Sequence, residues 1–175
     1  MAESPPQLDE PALERLYLSL EKSLYNVVYR WLWSSDEARD VVQEAFMKLW
    51  AMRARVRLES VEPLVYRIAL NLAASRRRWR RRWRWLSLDG LRERRAPASS
   101  SPELNASRSE IGERLRRALV ALPEELRRVV VMCELSELSY EQIAGVLGIP
   151  AGTVGSRRHR ALKLLRRSLG EAEAP

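Results

Sequence analysis

The stretch YEQIAGVLGIPAGTVGSRRH, residues 140–159, predicts two α-helices joined by a tight turn. Ala144 is small enough for close helix packing, and Gly148 can take the left-handed conformation that ends a helix. Val154 is expected to face back into the core between the two helices. These intervals fit helices joined by a turn of roughly three or four residues, so the pattern is typical of a helix-turn-helix.

The second helix of this pair is rich in side chains that can donate hydrogen bonds to phosphates and base edges. These side chains belong to Thr153, Ser156, Arg157, Arg158, His159 and Arg160. Ser139 and Gln142 form a capping box that is predicted to start the first helix. Capping, spacing and donors together favour a DNA-reading unit over an ordinary helical hairpin with a basic, solvated face.

The composition of the 175-residue chain excludes several kinds of protein. A net charge of +8 and a sequence pI of about 10.3 indicate a polyanionic partner, either nucleic acid or an acidic membrane surface. One cysteine, Cys133, and one histidine make a disulfide framework, a metal site or an enzyme centre implausible, so no cofactor is expected. The polar amino terminus and the lack of a long apolar run predict a cytoplasmic protein without membrane insertion.

The first half of the chain shows helical periodicity in three segments. Asp9 is predicted to cap the first helix, and Ser34 with Glu37 to form a capping box that opens the second. The apolar positions of the first helix are Leu13, Leu16, Leu20, Leu24, Val27, Val28 and Trp31. A third helix is expected from about 61 to 85, with inward-facing Leu64, Ile68 and Leu72.

The second helix, 36–52, has one apolar stripe and one polar face. The stripe consists of Ala38, Val41, Val42, Ala45, Phe46, Leu49 and Trp50. The polar face carries Asp36, Asp40, Gln43, Glu44 and Lys48. On periodicity alone, this polar face is explained equally well as a solvated surface.

Residues 86–106 lose this periodicity and collect Ser, Pro, Gly and Ala, which predicts a flexible linker. Helices are expected again at about 109–121, 124–136, 139–147 and 151–169. The sequence therefore predicts an all-α fold with two small helical domains. The first is a bundle of three to four helices over 1–85, and the second, over 107–170, contains the helix-turn-helix.

Residues 76–84 contain seven arginines, interleaved with Trp79 and Trp83 and followed by Trp85. Arginine binds phosphates and tryptophan stacks on unpaired bases, so this arginine–tryptophan tract favours nucleic acid. Two other interpretations stay open. The tract could be a solvated helix end whose charge complements the helix dipole, or an amphipathic segment lying on an anionic membrane.

Together these segments resemble the extracytoplasmic-function (group IV) sigma factors of bacterial RNA polymerase. The resemblance covers about 10–85, including DEARDVVQEAFMKLW and VYRIALNLAASRRR, and about 108–169, including ALPEELRRVVVMCELSELSYEQIAGVLGIPAGTVGSRRHRALKLL. In that family these blocks are regions 2 and 4. The resemblance implies a non-enzymatic alternative sigma factor in the bacterial cytoplasm. Its implied partners are core RNA polymerase (the β′ coiled coil and the β flap), promoter DNA and an anti-sigma factor.

The resemblance also implies roles for three groups of residues. Asp40, Gln43 and Glu44 match positions expected to contact the polymerase β′ coiled coil. Asn71, Arg76 and Arg77 match positions near the −10 element, and Arg55, Arg57 and Ser60 are further candidates there. Thr153, Ser156, Arg157 and Arg160, followed by His159, are expected to read the −35 element. Asn71 and His159 could instead be surface residues without a role.

Three positions depart from the family pattern. Leu64 stands where the family usually has Trp, Ser75 where it has Asp, and Gly155 where it has a basic residue. Gly155 removes a phosphate contact and costs about 1 kcal/mol relative to alanine inside a helix, which predicts altered −35 binding.

The alternative function is a free-standing helix-turn-helix regulator. That function would not explain the polar face of residues 36–50 or the arginine–tryptophan tract.

Overall fold

The computed structural model describes residues 8–86 and 102–170, with side chains described outside 83–86 and 102–109. Within these ranges the chain forms seven α-helices and no strand, which confirms the predicted all-α class. The helices are α1 (Glu10–Leu32), α2 (Ser35–Ala51), α3 (Val61–Leu86), α4 (Pro102–Ala121), α5 (Glu124–Leu135), α6 (Tyr140–Leu147) and α7 (Ala151–Gly170). None of these helices is long and apolar enough to cross a membrane.

Helices α1, α2 and α3 form an amino-terminal bundle. Asp9 starts α1 as predicted, because its side chain accepts a 2.9 Å hydrogen bond from the backbone N–H of Ala12. The predicted apolar stripes of α1 and α2 are buried, apart from Leu13 and Trp50, which are half-buried. The guanidinium of Arg53 lies 4.3 Å from the centre of the Trp50 ring, so this ring is covered by a cation rather than by the core.

The start of α2 differs from the predicted capping box. Ser34 accepts a 3.4 Å hydrogen bond from the backbone N–H of Glu37, which is the expected half of the box. The carboxylate of Glu37 instead lies 3.1 Å from Nη2 of Arg80 on α3. A charged guanidinium is a stronger partner for a carboxylate than a neutral backbone N–H, so the contact between helices replaces the local one.

Helix α3 is buried on two sides. Its most deeply buried residues are Val65, Tyr66, Ala69, Leu70 and Ala73, whereas the predicted inward set of Leu64, Ile68 and Leu72 is only half-buried at the edge of the core. The difference arises because α3 packs against α1 and α2 and also against α6. A sequence pattern that assumes one apolar stripe cannot anticipate a helix enclosed from two directions.

Helices α4 to α7 form the carboxy-terminal domain. Helix α4 begins at Pro102, before the expected start near residue 109 and inside the segment predicted to be a linker. The rest of that linker, 87–101, lies outside the described residues, as do the side chains of Trp83, Arg84 and Trp85. The two domains contact each other through α3 with α6 and α1 with α5, and the buried apolar residues of both form a single cluster.

Candidate nucleic-acid interface

The helix-turn-helix is built as its sequence predicts. Ser139 donates its backbone N–H to Oε1 of Gln142 at 2.8 Å and accepts the N–H of Gln142 on its hydroxyl at 3.3 Å, which completes the capping box. Gly148 ends α6 with a φ of 66°, in the left-handed region. Val154 is fully buried and Ala144 nearly so. These residues fix how α7 leaves the turn.

Replacing Gly148 with alanine is expected to lower the free energy of unfolding by about 1–2 kcal/mol, because a Cβ is strained in the left-handed conformation. Gly145→Ala is the matched control. A Cβ at Gly145 meets no atom within 4 Å, and alanine favours a helix over glycine, so that change should stabilise by about 0.5–1 kcal/mol. Urea unfolding of both variants measures the two shifts, and equal signs would contradict the turn geometry.

The predicted hydrogen-bond donors of helix α7 differ in their exposure to solvent. Ser156, His159 and Arg160 are exposed, whereas Thr153 and Arg157 are half-buried. Arg157 lines a groove of about 240 Å³ together with Glu124 and Glu125 at the start of α5. The Ser156 hydroxyl donates to the Thr153 carbonyl at 3.1 Å. Of the predicted donors, Ser156, His159 and Arg160 are therefore the accessible ones, with Arg157 at the edge of the groove.

Arg158 has a different task from its neighbours. Its Nε donates to Oε1 of Glu134 at 2.7 Å, and its Nη1 donates to the Tyr140 hydroxyl at 3.5 Å. The hydrogen bond to Glu134 raises the pKa of Arg158 above its usual value. This residue ties α7 to α5 and α6, and the acidic side chain at the end of α5 is the partner that local sequence patterns missed.

The glycine that departs from the family pattern lies beside this contact. A Cβ built on Gly155 would lie 3.5 Å from Cε2 of Tyr140, an ordinary van der Waals distance. The ring of Tyr140 thus occupies the space next to the helix at this position. A long basic side chain at 155 would have to pass the ring, so the glycine and the tyrosine fit each other.

The polar face of α2 points outward as predicted. Asp40 and Gln43 are exposed and Glu44 is half-buried. Arg76 of α3 reaches both carboxylates, with Nη1 lying 3.5 Å from Oδ2 of Asp40 and Nη2 lying 3.2 Å from Oε2 of Glu44. The side chain of Met47 follows on the outward side of α2 and is 65% exposed. The face therefore combines held carboxylates with an exposed apolar side chain.

The arginines of the tract fall into two groups. Arg76 and Arg80 turn toward the other helices of the bundle, where they also donate to the carbonyls of Glu37 and Leu32 at 3.2 and 3.1 Å. Nη1 of Arg77 lies 3.5 Å from Oε1 of Glu124 in the carboxy-terminal domain. The sequence shows seven equivalent cations, but three of them hold helices together.

The remaining described arginines of the tract, Arg78, Arg81 and Arg82, are exposed. A groove of about 420 Å³ runs along α3 beside them, and Leu72, Trp79 and Glu44 are among its lining residues. The side chain of Trp79 is 59% exposed. An indole face flanked by guanidinium groups can stack on a base while the cations contact phosphates.

The candidates in the loop before α3 lie on two short 3-10 turns, Arg53–Arg55 and Leu58–Ser60. Arg55, Arg57 and Ser60 are all exposed, and the Ser60 hydroxyl donates to the Arg57 carbonyl at 3.3 Å. Asn71 is exposed on α3. These donors are available to a ligand, whereas the predicted contacts Arg76 and Arg77 are paired within the protein.

Within the described residues, no group of three or more His, Cys, Asp or Glu side chains is placed to hold a metal ion. Cys133 is half-buried on α5, and burial raises the pKa of its thiol, which favours the protonated form. Its environment is that of a small packing residue.

Comparison with known proteins finds the same family in both domains. The sigma-70 region 2 model matches residues 16–84, and the sigma-70 region 4 model matches residues 112–165. The ECF RNA polymerase sigma factor SigE of Mycolicibacterium smegmatis is 33% identical over 89% of this chain, which spans 61% of that protein's length. The RNA polymerase sigma-H factor of Pseudomonas aeruginosa is 32% identical to this chain. The match covers 92% of this chain and 88% of the length of that protein.

A solved structure shows the same arrangement of helices. The sigma factor RpoE of Bartonella quintana, in complex with the anti-sigma factor NepR, matches with a TM-score of 0.70 at 25% identity. The match covers 90% of this chain and 96% of that one.

Proposed function

This chain belongs to the extracytoplasmic-function group of the sigma-70 family and acts as an alternative sigma factor that directs transcription, and we propose how its surfaces divide that work. The amino-terminal bundle is region 2, about residues 1–85, and the carboxy-terminal domain is region 4, about 107–170. The observation that carries this division is the order of two family models along one chain, each on its own helical unit.

Core RNA polymerase binds the polar face of α2. Asp40, Gln43 and Glu44 supply the polar contacts to the β′ coiled coil, and the exposed Met47 adds apolar area beside them. Arg76 supports this proposal, because it fixes both carboxylates in place before the polymerase arrives. Side chains that are already ordered lose less conformational entropy on binding. Region 4 lies near the β flap in the same complex.

The −10 element binds the loop before α3 and the outer side of α3. Arg55, Arg57, Ser60 and Asn71 are exposed donors for base edges and phosphates. The groove beside Trp79, Arg78 and Arg82 receives the melted strand, since an indole can stack on a base and guanidinium groups can hold its phosphates. Arg76 and Arg77 contribute by positioning α3 rather than by contacting DNA first.

The −35 element is read in the major groove by α7. His159, Arg160 and Ser156 lie on its exposed side, and Arg157 and Thr153 flank them. Helix α6 crosses the DNA backbone, as the first helix of such a motif does. Arg158 keeps α7 in register through Glu134 and Tyr140. Because Gly155 removes a basic side chain, fewer phosphate contacts are made here.

An anti-sigma factor holds the protein inactive in the bacterial cytoplasm until a signal releases it. This part of the proposal is supported by the structural neighbour, which was solved with its own anti-sigma factor bound. The chemistry of RNA synthesis belongs to the polymerase, so this protein has no catalytic centre of its own.

Run-off transcription from a randomised promoter pool tests the proposal. Core RNA polymerase with the protein is expected to yield transcripts that core polymerase alone does not. Their templates should share two spaced upstream elements. Salt-dependent binding of duplex DNA without any transcript would instead support a free-standing regulator, and a symmetric operator would confirm it.

A further inference from the structure

We propose that this factor obtains most of its promoter affinity at the −10 element, through the outer side of α3, and that Ser75 sets this balance. Region 4 then contributes sequence discrimination at −35 more than affinity. This balance rests on the proposed function, which assigns both DNA surfaces but not their relative strength.

The outer side of α3 keeps three arginines available for phosphates. Within the described residues, the ion pairs of the tract belong to the arginines that hold helices together. Arg78, Arg81 and Arg82 are exposed instead. A cation that meets a phosphate releases a counterion from the DNA, and this release is the main source of affinity without sequence preference.

Ser75 leaves the charge of Arg78 uncompensated. Nη2 of Arg78 donates to the Ser75 hydroxyl at 2.9 Å. The hydroxyl is neutral, whereas the aspartate that the family usually has here would place a carboxylate three residues before Arg78, on the same helix face. The groove beside them is also lined by Glu44, but each carboxylate oxygen of Glu44 already has a cation within 3.3 Å. Arg78 and Arg82 therefore give this groove a positive charge that a phosphate can neutralise.

Helix α7 has fewer cations at the end that enters the major groove. The guanidinium of Arg158 is occupied by the glutamate at the end of α5, and position 155 carries a glycine. Arg157 is half-buried in a groove that two glutamates of α5 also line. Among residues 151–160, Arg160 is the exposed arginine. Few phosphates can therefore be neutralised here.

The two surfaces thus contribute differently to promoter binding. Phosphate contacts supply affinity, whereas contacts to base edges supply sequence preference. Three exposed arginines in the tract, against one at the start of α7, give region 2 the larger share of the affinity. Trp79 lines the same groove and adds stacking on an unpaired base. We therefore expect promoters with a well-defined −10 element that tolerate changes at −35, where Arg157 still distinguishes bases.

Replacing one promoter element at a time tests the balance in the full-length protein bound to core RNA polymerase. A promoter recovered by the run-off selection is compared with two versions, in which either the −35 or the −10 element is replaced by unrelated sequence. Replacing the −10 element is expected to weaken binding at least about tenfold more than replacing the −35 element. A larger loss of affinity on replacing the −35 element would overturn the proposal.

Ser75→Asp tests the residue itself. The added carboxylate should oppose phosphate binding at Arg78, weaken binding of the intact promoter about fivefold, and lower the slope of log affinity against log salt by about 0.7. Ser75→Asn adds a similar volume without charge and should change neither quantity. Residue 75 is exposed, so both variants keep the fold. Equal behaviour of the two variants would overturn the role of Ser75.

Gly155→Lys tests the other surface. The new cation should tighten binding of the intact promoter about fivefold and raise the salt slope by about 0.9, whereas the uncharged Gly155→Gln should do neither. Combined with Ser75→Asp, it should make the two element replacements cost similar affinity. A double variant that still depends mainly on the −10 element would overturn the proposal. Absence of wild-type transcription from the intact promoter would instead contradict the proposed function.

Discussion

Alanine at both Asp40 and Gln43 is expected to weaken binding of core RNA polymerase by at least about thirtyfold. The loss of a well-buried contact in a protein interface costs about 2 kcal/mol or more, and 1.4 kcal/mol corresponds to a factor of ten. The fold should survive, because Asp40 and Gln43 are exposed and Arg76 keeps its partner Glu44. A competition assay against a labelled sigma factor measures the change in affinity.

Two controls separate polymerase binding from general damage. Glu14→Ala removes an exposed carboxylate from α1 and should leave polymerase affinity unchanged. Binding of the double variant to a −35 duplex should also remain as in the wild type, because α7 is untouched. Unchanged competition by the double variant would move the polymerase site away from α2.

Arg157→Ala is expected to lower discrimination between the correct and an altered −35 element by about five- to 150-fold. A side chain that reads a base edge contributes about 1–3 kcal/mol of discrimination. Arg81→Ala is expected to behave differently. Losing an exposed arginine that binds phosphates weakens binding to every DNA sequence by a similar factor. Its removal should also reduce the slope of log affinity against log salt by about 1.

Fluorescence anisotropy with matched and mismatched duplexes over a salt series measures both effects. Arg117→Ala is the control for the lost charge. Within the described part of the chain, the hydrogen bond of this exposed arginine is to the Glu113 carbonyl of its own helix, at 3.4 Å. If Arg157→Ala and Arg81→Ala lower affinity in the same way for all sequences, the division between base-reading and backbone-holding arginines is wrong.

The sequence predicts the helix caps and the turn of the helix-turn-helix well. The Asp9 cap, the Ser139 capping box and the left-handed Gly148 depend on residues within a few positions of one another, and all three are present. The recognition helix is equally predictable, because its donors and its buried Val154 repeat with the period of a helix.

Contacts between distant residues could not be predicted in this way. Glu37 forms an ion pair with Arg80 of α3 instead of capping its own helix, and Glu134 accepts a hydrogen bond from Arg158, 24 positions away. The docking of Arg128 on Trp31 likewise joins two domains across the linker. Charged side chains choose among all partners that folding brings near, and a single sequence does not say which partners those are. For the same reason, seven arginines that look alike in the tract divide into exposed cations and cations that brace the bundle.

One continuous apolar cluster runs through both domains, so the stability of each domain depends on the other. Leu24 of α1 and Ile143 of α6 are both fully buried in that one cluster. A smaller side chain at Leu24 would leave a cavity that destabilises the amino-terminal bundle. It would also weaken the packing of the carboxy-terminal domain against that bundle. A genetic screen for loss of −35 recognition is therefore expected to return mutations in the core of the amino-terminal bundle, outside the helix that reads the −35 element. Such alleles should be rescued by lower growth temperature, whereas alleles in the recognition helix should not.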